Sequence, residues 1–256
     1  MKYSALLLTC LLAATSVGAR TLLVGHRGCD TGVENTAPAY INGAARGYDF
    51  LECDVRITAD GHFVICHDTD NRRLGGKHEI AEATLAELRA DTLQQERLKG
   101  HFTGTICTLT EYLDICRDAD VRPVIELKWS TGINSKDFTN IPALIDTITA
   151  AGFRDKCVIL TSMKPCLQYI RETAPDIELQ FLGNKNWQDS LPWCDSLRID
   201  IDIAHDQLDS TSVAEAHAMG LKVNCWTVDK LDRARELQDM GVDIITTNAI
   251  MPEAIN

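Results

Sequence analysis

The sequence predicts an α/β protein with a TIM-type (β/α)8 barrel and a small inserted β-hairpin. Eight short apolar runs typical of strands alternate with segments of helical periodicity, which indicates a parallel sheet. Several helical segments end at a glycine, the residue that most readily closes a helix. A further apolar run, residues 63–66, follows its predecessor too closely for a parallel crossover. We therefore expect this run to be the second arm of a hairpin.

The predicted elements follow in order along the chain. The strands are residues 22–25, 50–55, 123–127, 157–161, 178–182, 197–201, 221–226 and 243–246. The helices between them include residues 35–46, 109–117, 141–151, 213–219 and 231–240. An open doubly wound sheet is the alternative, but the first strand does not lead into a GxGxxG motif. Nucleotide binding of that kind is therefore not supported.

The amino terminus differs from the rest of the chain. Lys2 precedes an apolar run over residues 5–14, and small or modest side chains occupy residues 17–19. This pattern predicts a secretory signal peptide over residues 1–19, and a single barrel domain over residues 20–256. We therefore expect an exported protein, either periplasmic or secreted. Lipidation at Cys10 is a less favoured alternative, because the apolar run continues past that residue.

The net charge limits the possible binding partners, and the cysteine positions indicate the disulfide state. The formal net charge is −12, so nucleic acid and anionic membrane surfaces are poor partners, and the sequence shows no basis for stable membrane insertion. Of the ten cysteines, Cys10 lies in the predicted signal peptide, which leaves an odd number. Cys53, Cys66, Cys157 and Cys225 fall inside predicted strands, which favours reduced core cysteines over a disulfide framework. The sequence leaves the oligomeric state open.

Two acids and a histidine occur together in the predicted hairpin. Glu52 and Asp54 share one face of a strand, because side chains alternate along it. If Asp60-Gly61 forms a two-residue turn, the hairpin register places His67 opposite Asp54. We therefore expect these three side chains to lie together at the barrel mouth.

Other strand ends add to this cluster. His26 and Arg27 follow the first strand, and Glu126 and Lys128 end the third parallel strand. In a closed parallel barrel these strand ends meet on one rim, which is where barrel enzymes place their catalytic residues. The sequence therefore predicts one active site at that rim.

Three acids close together require a counter-charge. Burying Glu52, Asp54 and Glu126 without partners would cost several kcal/mol each, and they would also repel one another. Oxygen ligands of this kind suit one divalent cation, Mg²⁺ or Ca²⁺. With Arg27, Lys128 and two histidines on the same rim, the pattern indicates phosphoryl-transfer chemistry on a small anionic ester. A plain ion pair between Glu126 and Lys128 is the alternative.

These motifs, taken together, resemble the signature of the glycerophosphodiester phosphodiesterase family. The matching segments are His26-Arg27-Gly28, Glu34-Asn35-Thr36, Glu52-Cys53-Asp54-Val55, Thr58-Ala59-Asp60-Gly61, His67-Asp68, Ile125-Glu126-Leu127-Lys128 and Trp226-Thr227-Val228. The resemblance covers about residues 22–247. Two departures stand out: Asn248 takes the place of an acid that the family usually has, and the segment between His67 and Thr108 is short. The short segment predicts an open pocket.

The resemblance implies a phosphoric diester hydrolase that converts glycerophosphodiesters into glycerol 3-phosphate and an alcohol. It implies these roles: His26 and His67 as the acid/base pair, Glu52, Asp54 and Glu126 as metal ligands, Arg27 and Lys128 as phosphate contacts, and Trp226 as a pocket wall. Glu34 and Asn35 either cap the following helix or support the metal or His26. The substrate would be a small molecule.

Other interpretations remain open at this point. A phospholipase D-like or inositol-phosphodiester enzyme would use the same chemistry, but the acidic charge argues against a membrane-facing loop. A catalytically silent binding protein is less favoured because both histidines are present. Asp200 and Asp202 repeat the spacing of the opening acids and are either ordinary strand-end acids or a second site.

Overall fold

The computed structural model describes residues 20–98 and 101–255. The predicted signal peptide, with Cys10, lies outside these residues. The strands are β1 (Leu22–Gly25), β2 (Phe50–Ile57), β3 (Phe63–Ile65), β4 (Cys107–Thr108), β5 (Arg122–Leu127), β6 (Val158–Thr161), β7 (Glu178–Gly183), β8 (Asp200–Ala204), β9 (Val223–Trp226) and β10 (Ile244–Thr247). Eight of them run parallel in the order β1-β10-β9-β8-β7-β6-β5-β2, and β2 pairs again with β1. The predicted closed (β/α)8 barrel is therefore confirmed.

Helices surround this barrel. They are α1 (Ala37–Ala45), α2 (Leu85–Arg89), α3 (Leu109–Asp118), α4 (Ile141–Ala150), α5 (Lys164–Thr173), α6 (Leu191–Leu197), α7 (Ser210–Ala218) and α8 (Leu231–Asp239). The sequence analysis did not predict α2, α5 and α6. Thr108 caps α3 by accepting a hydrogen bond from the Glu111 backbone N–H at 3.2 Å. Among the described residues, no helix is long and apolar enough to span a bilayer.

The barrel interior changes character along its axis. Its floor is an apolar cluster formed by Val24, Phe50, Val124, Val158, Leu160 and Ile244. Glu52 lies two residues after Phe50, and Glu126 lies two residues after Val124, so both acids face the same interior one layer higher. The strands therefore place carboxylates next to an apolar floor, where charge is costly to leave unpaired.

The hairpin register differs from the prediction by one residue. Val55 pairs with Ile65, and the Cys66 backbone N–H donates to Asp54 O at 2.9 Å, so Cys66 rather than His67 lies opposite Asp54. The reason is a three-residue loop that ends at Gly61 with φ 82°, a conformation suited to glycine. His67 lies beyond the last ladder pair, where strand alternation no longer sets its direction. Strand β4, which was not predicted, pairs with β3.

The position of β8 also differs from the prediction. Residues 197–201 were expected to form the strand, but helix α6 extends to Leu197 and ends with Arg198 in the left-handed region at φ 52°. Strand β8 therefore begins at Asp200, and Asp202 lies in its middle. This shift moves Asp202 from a strand end into the barrel interior.

The cysteines agree with the interpretation as core residues. All nine cysteines of the described residues are buried, and none of them is disulfide-bonded. Burial raises the pKa of several of these thiols, to about 12 for Cys66 and well above the usual value for Cys107. They therefore act as small apolar side chains in the packing.

Candidate active site

The three predicted acids converge at the carboxyl end of β2 and β5. Glu52 is 4% exposed and Asp54 is fully buried, while Glu126 is half-buried. Asp54 and Glu126 are direct neighbours in the parallel pairing of the two strands. One carboxylate oxygen from each of the three residues lies within 4.8 Å of the other two. This separation brings three oxygen ligands within reach of a single cation.

In both Glu52 and Asp54, one carboxylate oxygen is held by a hydrogen bond and the other is not used in that bond. Glu52 Oε2 accepts a hydrogen bond from the Arg27 backbone N–H at 2.8 Å, and Asp54 Oδ2 accepts one from Asn35 Nδ2 at 2.7 Å. Of their other oxygens, Glu52 Oε1 is buried without a hydrogen bond among the described residues, and Asp54 Oδ1 lies 3.1 Å from Lys128 Nζ. Oriented carboxylates, each with a second oxygen available to a cation, are the donors that Mg²⁺ and Ca²⁺ require, so the residues present fit such an ion.

The protonation of the cluster reflects its crowding. Burial, with the charges of Asp54 and Glu126, raises the pKa of Glu52 well above its usual value. Burial and the Asp54 charge raise the pKa of Glu126 to about 7. Burial acts in the same direction on Asp54, but Lys128 and Arg27 hold the pKa of this carboxyl well below its ordinary range. The neighbouring positive charge is therefore not enough to keep all three carboxyls ionised at neutral pH.

Two basic side chains lie beside the acids. Lys128 Nζ donates to Glu126 Oε1 at 2.7 Å and lies 3.1 Å from Asp54 Oδ1. Arg27 Nε lies 3.2 Å from Asp54 Oδ2. Both bases line the same cavity as Glu52 and Glu126. They can therefore exchange contacts with the acids for contacts with a bound phosphate.

His26 is held by the last loop of the barrel. Its backbone N–H donates to Thr247 O at 2.9 Å, and its Nδ1 lies 2.9 Å from Asn248 Oδ1. Asn248 Nδ2 donates to Asp229 Oδ2 at 2.8 Å, so Oδ1 is the acceptor and His26 Nδ1 carries the hydrogen. Burial, with the Arg27 charge, lowers the pKa of His26 to about 4. The ring is therefore neutral at physiological pH, with Nε2 free to take a proton.

His67 has a charged partner instead. Its Nδ1–H donates to Asp68 Oδ1 at 2.7 Å, and Arg73 Nε donates to Asp68 Oδ2 at 2.6 Å. Burial lowers the pKa of His67, while Asp54 and Asp68 act in the opposite direction. His26 and His67 line one cavity of about 160 Å³. The site thus brings together two imidazoles with different partners.

Comparison with known proteins agrees with this geometry. Residues 26–251 match the model of the glycerophosphoryl diester phosphodiesterase family. The chain belongs to that family. The prediction of a phosphoric diester hydrolase is therefore confirmed, and glycerophosphodiester phosphodiesterase activity is supported.

Individual relatives span nearly the whole chain. A glycerophosphodiester phosphodiesterase from Caldanaerobacter subterraneus subsp. tengcongensis is 29% identical over 90% of this chain and 94% of its own. An Oleispira antarctica phosphodiesterase, solved with the product sn-glycerol-3-phosphate, has a TM-score of 0.82 at 22% identity, covering 92% of this chain and 97% of its own. A glycerophosphodiester phosphodiesterase from Parabacteroides distasonis has a TM-score of 0.77 at 22% identity, covering 92% and 95%. These structures share the fold.

Glu34 and Asn35 contact the site rather than cap the helix. Thr36 is the residue before α1, and no side chain caps this helix. Asn35 bonds Asp54 and accepts from Tyr40 OH at 2.8 Å. Glu34 Oε1 accepts from Arg27 at 2.8 Å and from Arg73 at 2.6 Å. A chain of ion pairs thus runs from Arg27 through Glu34 to Arg73, which also contacts Asp68.

The cavity contains residues that the sequence did not assign to the active site. Trp226 lines the cavity as expected. Asp202 also lines it, although the predicted β8 boundary had placed this residue at a strand end. The contacts of Asn248 and Arg73 join residues far apart in sequence, which no local pattern indicates. Asp68 directly follows His67 and belongs to a matched motif, so its adjacency was the available signal.

Proposed function

We propose that this family member hydrolyses glycerophosphodiesters with the help of one divalent cation, releasing glycerol 3-phosphate and an alcohol. One observation supports this most strongly: three converging carboxylates, two histidines and two basic side chains meet at one barrel mouth. The Oleispira relative, with sn-glycerol-3-phosphate as its product, supports the substrate class.

The cation, Mg²⁺ or Ca²⁺, would be held by Glu52, Asp54 and Glu126. When bound, it would supply Lewis-acid stabilisation of the charge on the phosphate oxygens. Asn35 and the Arg27 backbone N–H orient two of these carboxylates. Lys128 and the Arg27 guanidinium would contact the phosphate as further positive charges.

The two histidines would divide the proton transfers. His26 is neutral and bonded through Nδ1 to an amide, so its Nε2 would take the proton from the attacking water. His67 is bonded to the carboxylate of Asp68, which stabilises a charged imidazolium, so it would give its proton to the leaving alcohol oxygen. The new P–O bond to water forms while the P–O bond to the alcohol breaks.

We further propose that the protein is exported after cleavage of residues 1–19. The charged, apolar and small-residue pattern of that segment supports this proposal. Sequencing the amino terminus of protein recovered outside the cytoplasm would test it. A mature chain beginning near Arg20 is expected, and a chain retaining Met1 would contradict export by cleavage.

The activity is tested with glycerophosphocholine and glycerophosphoethanolamine. We expect turnover that disappears with EDTA and returns with Mg²⁺ or Ca²⁺. His67→Ala should lower kcat by about 10²- to 10⁴-fold without loss of fold, whereas His62→Ala, on the exposed hairpin loop, should not. Turnover that survives complete chelation would exclude the metal role. Absence of hydrolysis in the metal-loaded wild type would favour a silent binding protein.

A further inference from the structure

Two buried polar groups of the cavity have no partner among the described residues. Asp202 is 3% exposed, and its Oδ1 makes no hydrogen bond. The indole N–H of Trp226 is also buried without an acceptor. Both residues line the cavity that contains the two histidines. Groups of this kind are costly to bury unpaired, so a ligand that completes their hydrogen bonds is expected.

These groups lie across the barrel from the acid cluster. In the eight-strand ring, β8 lies three strands from β5 and four from β2, and β9 lies three strands from β2 and four from β5. Asp202 pairs with Asn224 and Ala204 pairs with Trp226, so the carboxyl and the indole stand one layer apart on neighbouring strands. A substrate with its phosphate at the acid cluster would extend toward both.

We infer that Asp202 and the indole N–H of Trp226 form a subsite that binds the hydroxyl groups of the glycerol moiety. This inference rests on the proposed function and names the part of the substrate that the subsite selects. The carboxyl accepts a hydrogen bond from one hydroxyl, and the indole donates to the oxygen of the other. Neither interaction needs a charge on the ligand.

The chemistry favours a polyol over a quaternary ammonium head group. A trimethylammonium group has no hydrogen to donate and no oxygen to accept, so it would leave both groups unpaired. Burial, with the nearby Glu126 charge, raises the pKa of Asp202 well above its usual value, which weakens attraction for a cation. Leu160 and Leu182 line the same cavity and suit a carbon chain.

The test compares two substrates that release the same alcohol. Choline release is measured from glycerophosphocholine and from propylphosphocholine, in which propan-1-ol replaces glycerol. In the wild type we expect kcat/KM at least about 100-fold higher for the glycerol substrate, because a subsite built to bond hydroxyls discriminates against their loss. Asp202→Leu should lower kcat/KM for glycerophosphocholine by about 10- to 100-fold, and for propylphosphocholine by less than about 2-fold.

Further variants separate binding from structure. Asp202→Asn, which keeps an acceptor, should restore most of the discrimination, and Trp226→Phe, which keeps the ring, should lose part of it. Asp202→Leu should leave Tm equal or higher, because it removes an unpartnered buried carboxyl. Asp200→Asn is the matched control on the same strand: Asp200 accepts from the Lys222 backbone N–H at 2.8 Å and should not affect substrate choice.

Three outcomes would overturn the inference. The first is an Asp202→Leu penalty that is equal for both substrates and accompanied by a lower Tm, which indicates a structural role. The second is a penalty that depends on choline against ethanolamine, which places the acid against the head group. The third is absence of glycerophosphocholine hydrolysis in the metal-loaded wild type, which overturns the proposed function as well and is thereby distinguished from the other two.

Discussion

On one side of the barrel mouth, β2 and β5 carry three buried or half-buried acids within reach of Arg27 and Lys128, whereas on the other side β8 carries the buried Asp202 with no ion pair among the described residues. The second side also carries neutral amides: Asn224 Nδ2 donates to Gln180 Oε1 at 3.1 Å. The same barrel interior thus offers a charged wall and a largely neutral wall.

The difference follows from what each wall would hold. With all groups ionised, three carboxylates and two basic side chains leave one net negative charge on the charged wall. A divalent cation would change this to one net positive charge, which suits a phosphodiester monoanion. The opposite wall would need no such balance, because the glycerol portion of the substrate is uncharged and, by our inference, would be bound by hydrogen bonds and apolar contact. We therefore expect that substitutions on one wall mainly affect the group bound by that wall.

The largest effect is expected from Glu52→Gln. This change removes a charged ligand while keeping its shape, so affinity for Mg²⁺ or Ca²⁺ and kcat should both fall by more than about 100-fold, beyond the loss typical of an outer-shell change. The metal-free variant should be no less stable, since Glu52 has a strongly raised pKa. Calorimetric titration with each ion checks this, and wild-type affinity in the variant would contradict the ligand assignment.

Asp68→Asn should have the next largest effect, a fall in kcat of about 10- to 100-fold. Loss of the carboxylate removes a contribution that raises the pKa of His67. The acid form would then be lost at lower pH, so the alkaline limb of the pH–rate profile should move down in pH. The control is Asp70→Asn, whose carboxylate contacts Arg72 instead. An unmoved alkaline limb in Asp68→Asn would exclude His67 as the acid.

Metal affinity itself should depend on pH. In the metal-free protein the pKa of Glu126 is raised to about 7, so below this pH the ion must displace a proton from the cluster. Because the pKa of Glu52 is also strongly raised, affinity should increase with pH by at least about tenfold per unit between pH 5.5 and 6.5. Titrations at several pH values, with proton release followed in buffers of different ionisation enthalpy, measure this. A metal affinity independent of pH would contradict the binding of a proton by the acid cluster in the metal-free protein.

The sequence predicted the charged wall better than the neutral one. Glu52 and Asp54 were placed correctly because strand alternation is local and robust. His67 reaches the cavity although the predicted register was wrong by one residue, because it lies outside the ladder. Asp202 was misplaced because helix α6 ends at Arg198, where nothing as clear as a glycine marks the boundary.

Long-range contacts were the least predictable part. Asn248 was recognised only as a departure from the family pattern, although it bonds His26 across a separation of 222 residues. Arg73 reaches Glu34 across 39 residues from within the insertion. Such contacts depend on the closure of the barrel and on the path of the segment between His67 and Thr108. Neither leaves a periodic signal in the sequence.

A smaller effect is expected from Asn248→Asp, which restores the acid that the family usually has. A carboxylate beside Nδ1 would stabilise the imidazolium and raise the pKa of His26 from about 4. Since the base must be neutral, the acidic limb of kcat/KM should move to higher pH, with little change well above it. The alkaline limb, set by His67, serves as the internal control. If the acidic limbs of the wild-type and Asn248→Asp profiles coincided, His26 would be excluded as the base.

The smallest effect on the site should come from the amides of the neutral wall. Gln180 is buried outside the cavity lining, and its Oε1 accepts from Asn224. Gln180→Leu leaves that donor unpaired, so the free energy of unfolding should fall by about 1–3 kcal/mol. Because the charged wall is not touched, cation affinity should stay within about twofold of the wild type. Urea unfolding and metal titration of the same sample measure both quantities. A parallel loss of cation affinity would mean that the two walls are energetically coupled through the barrel, so that the charged wall does not act as a separate unit.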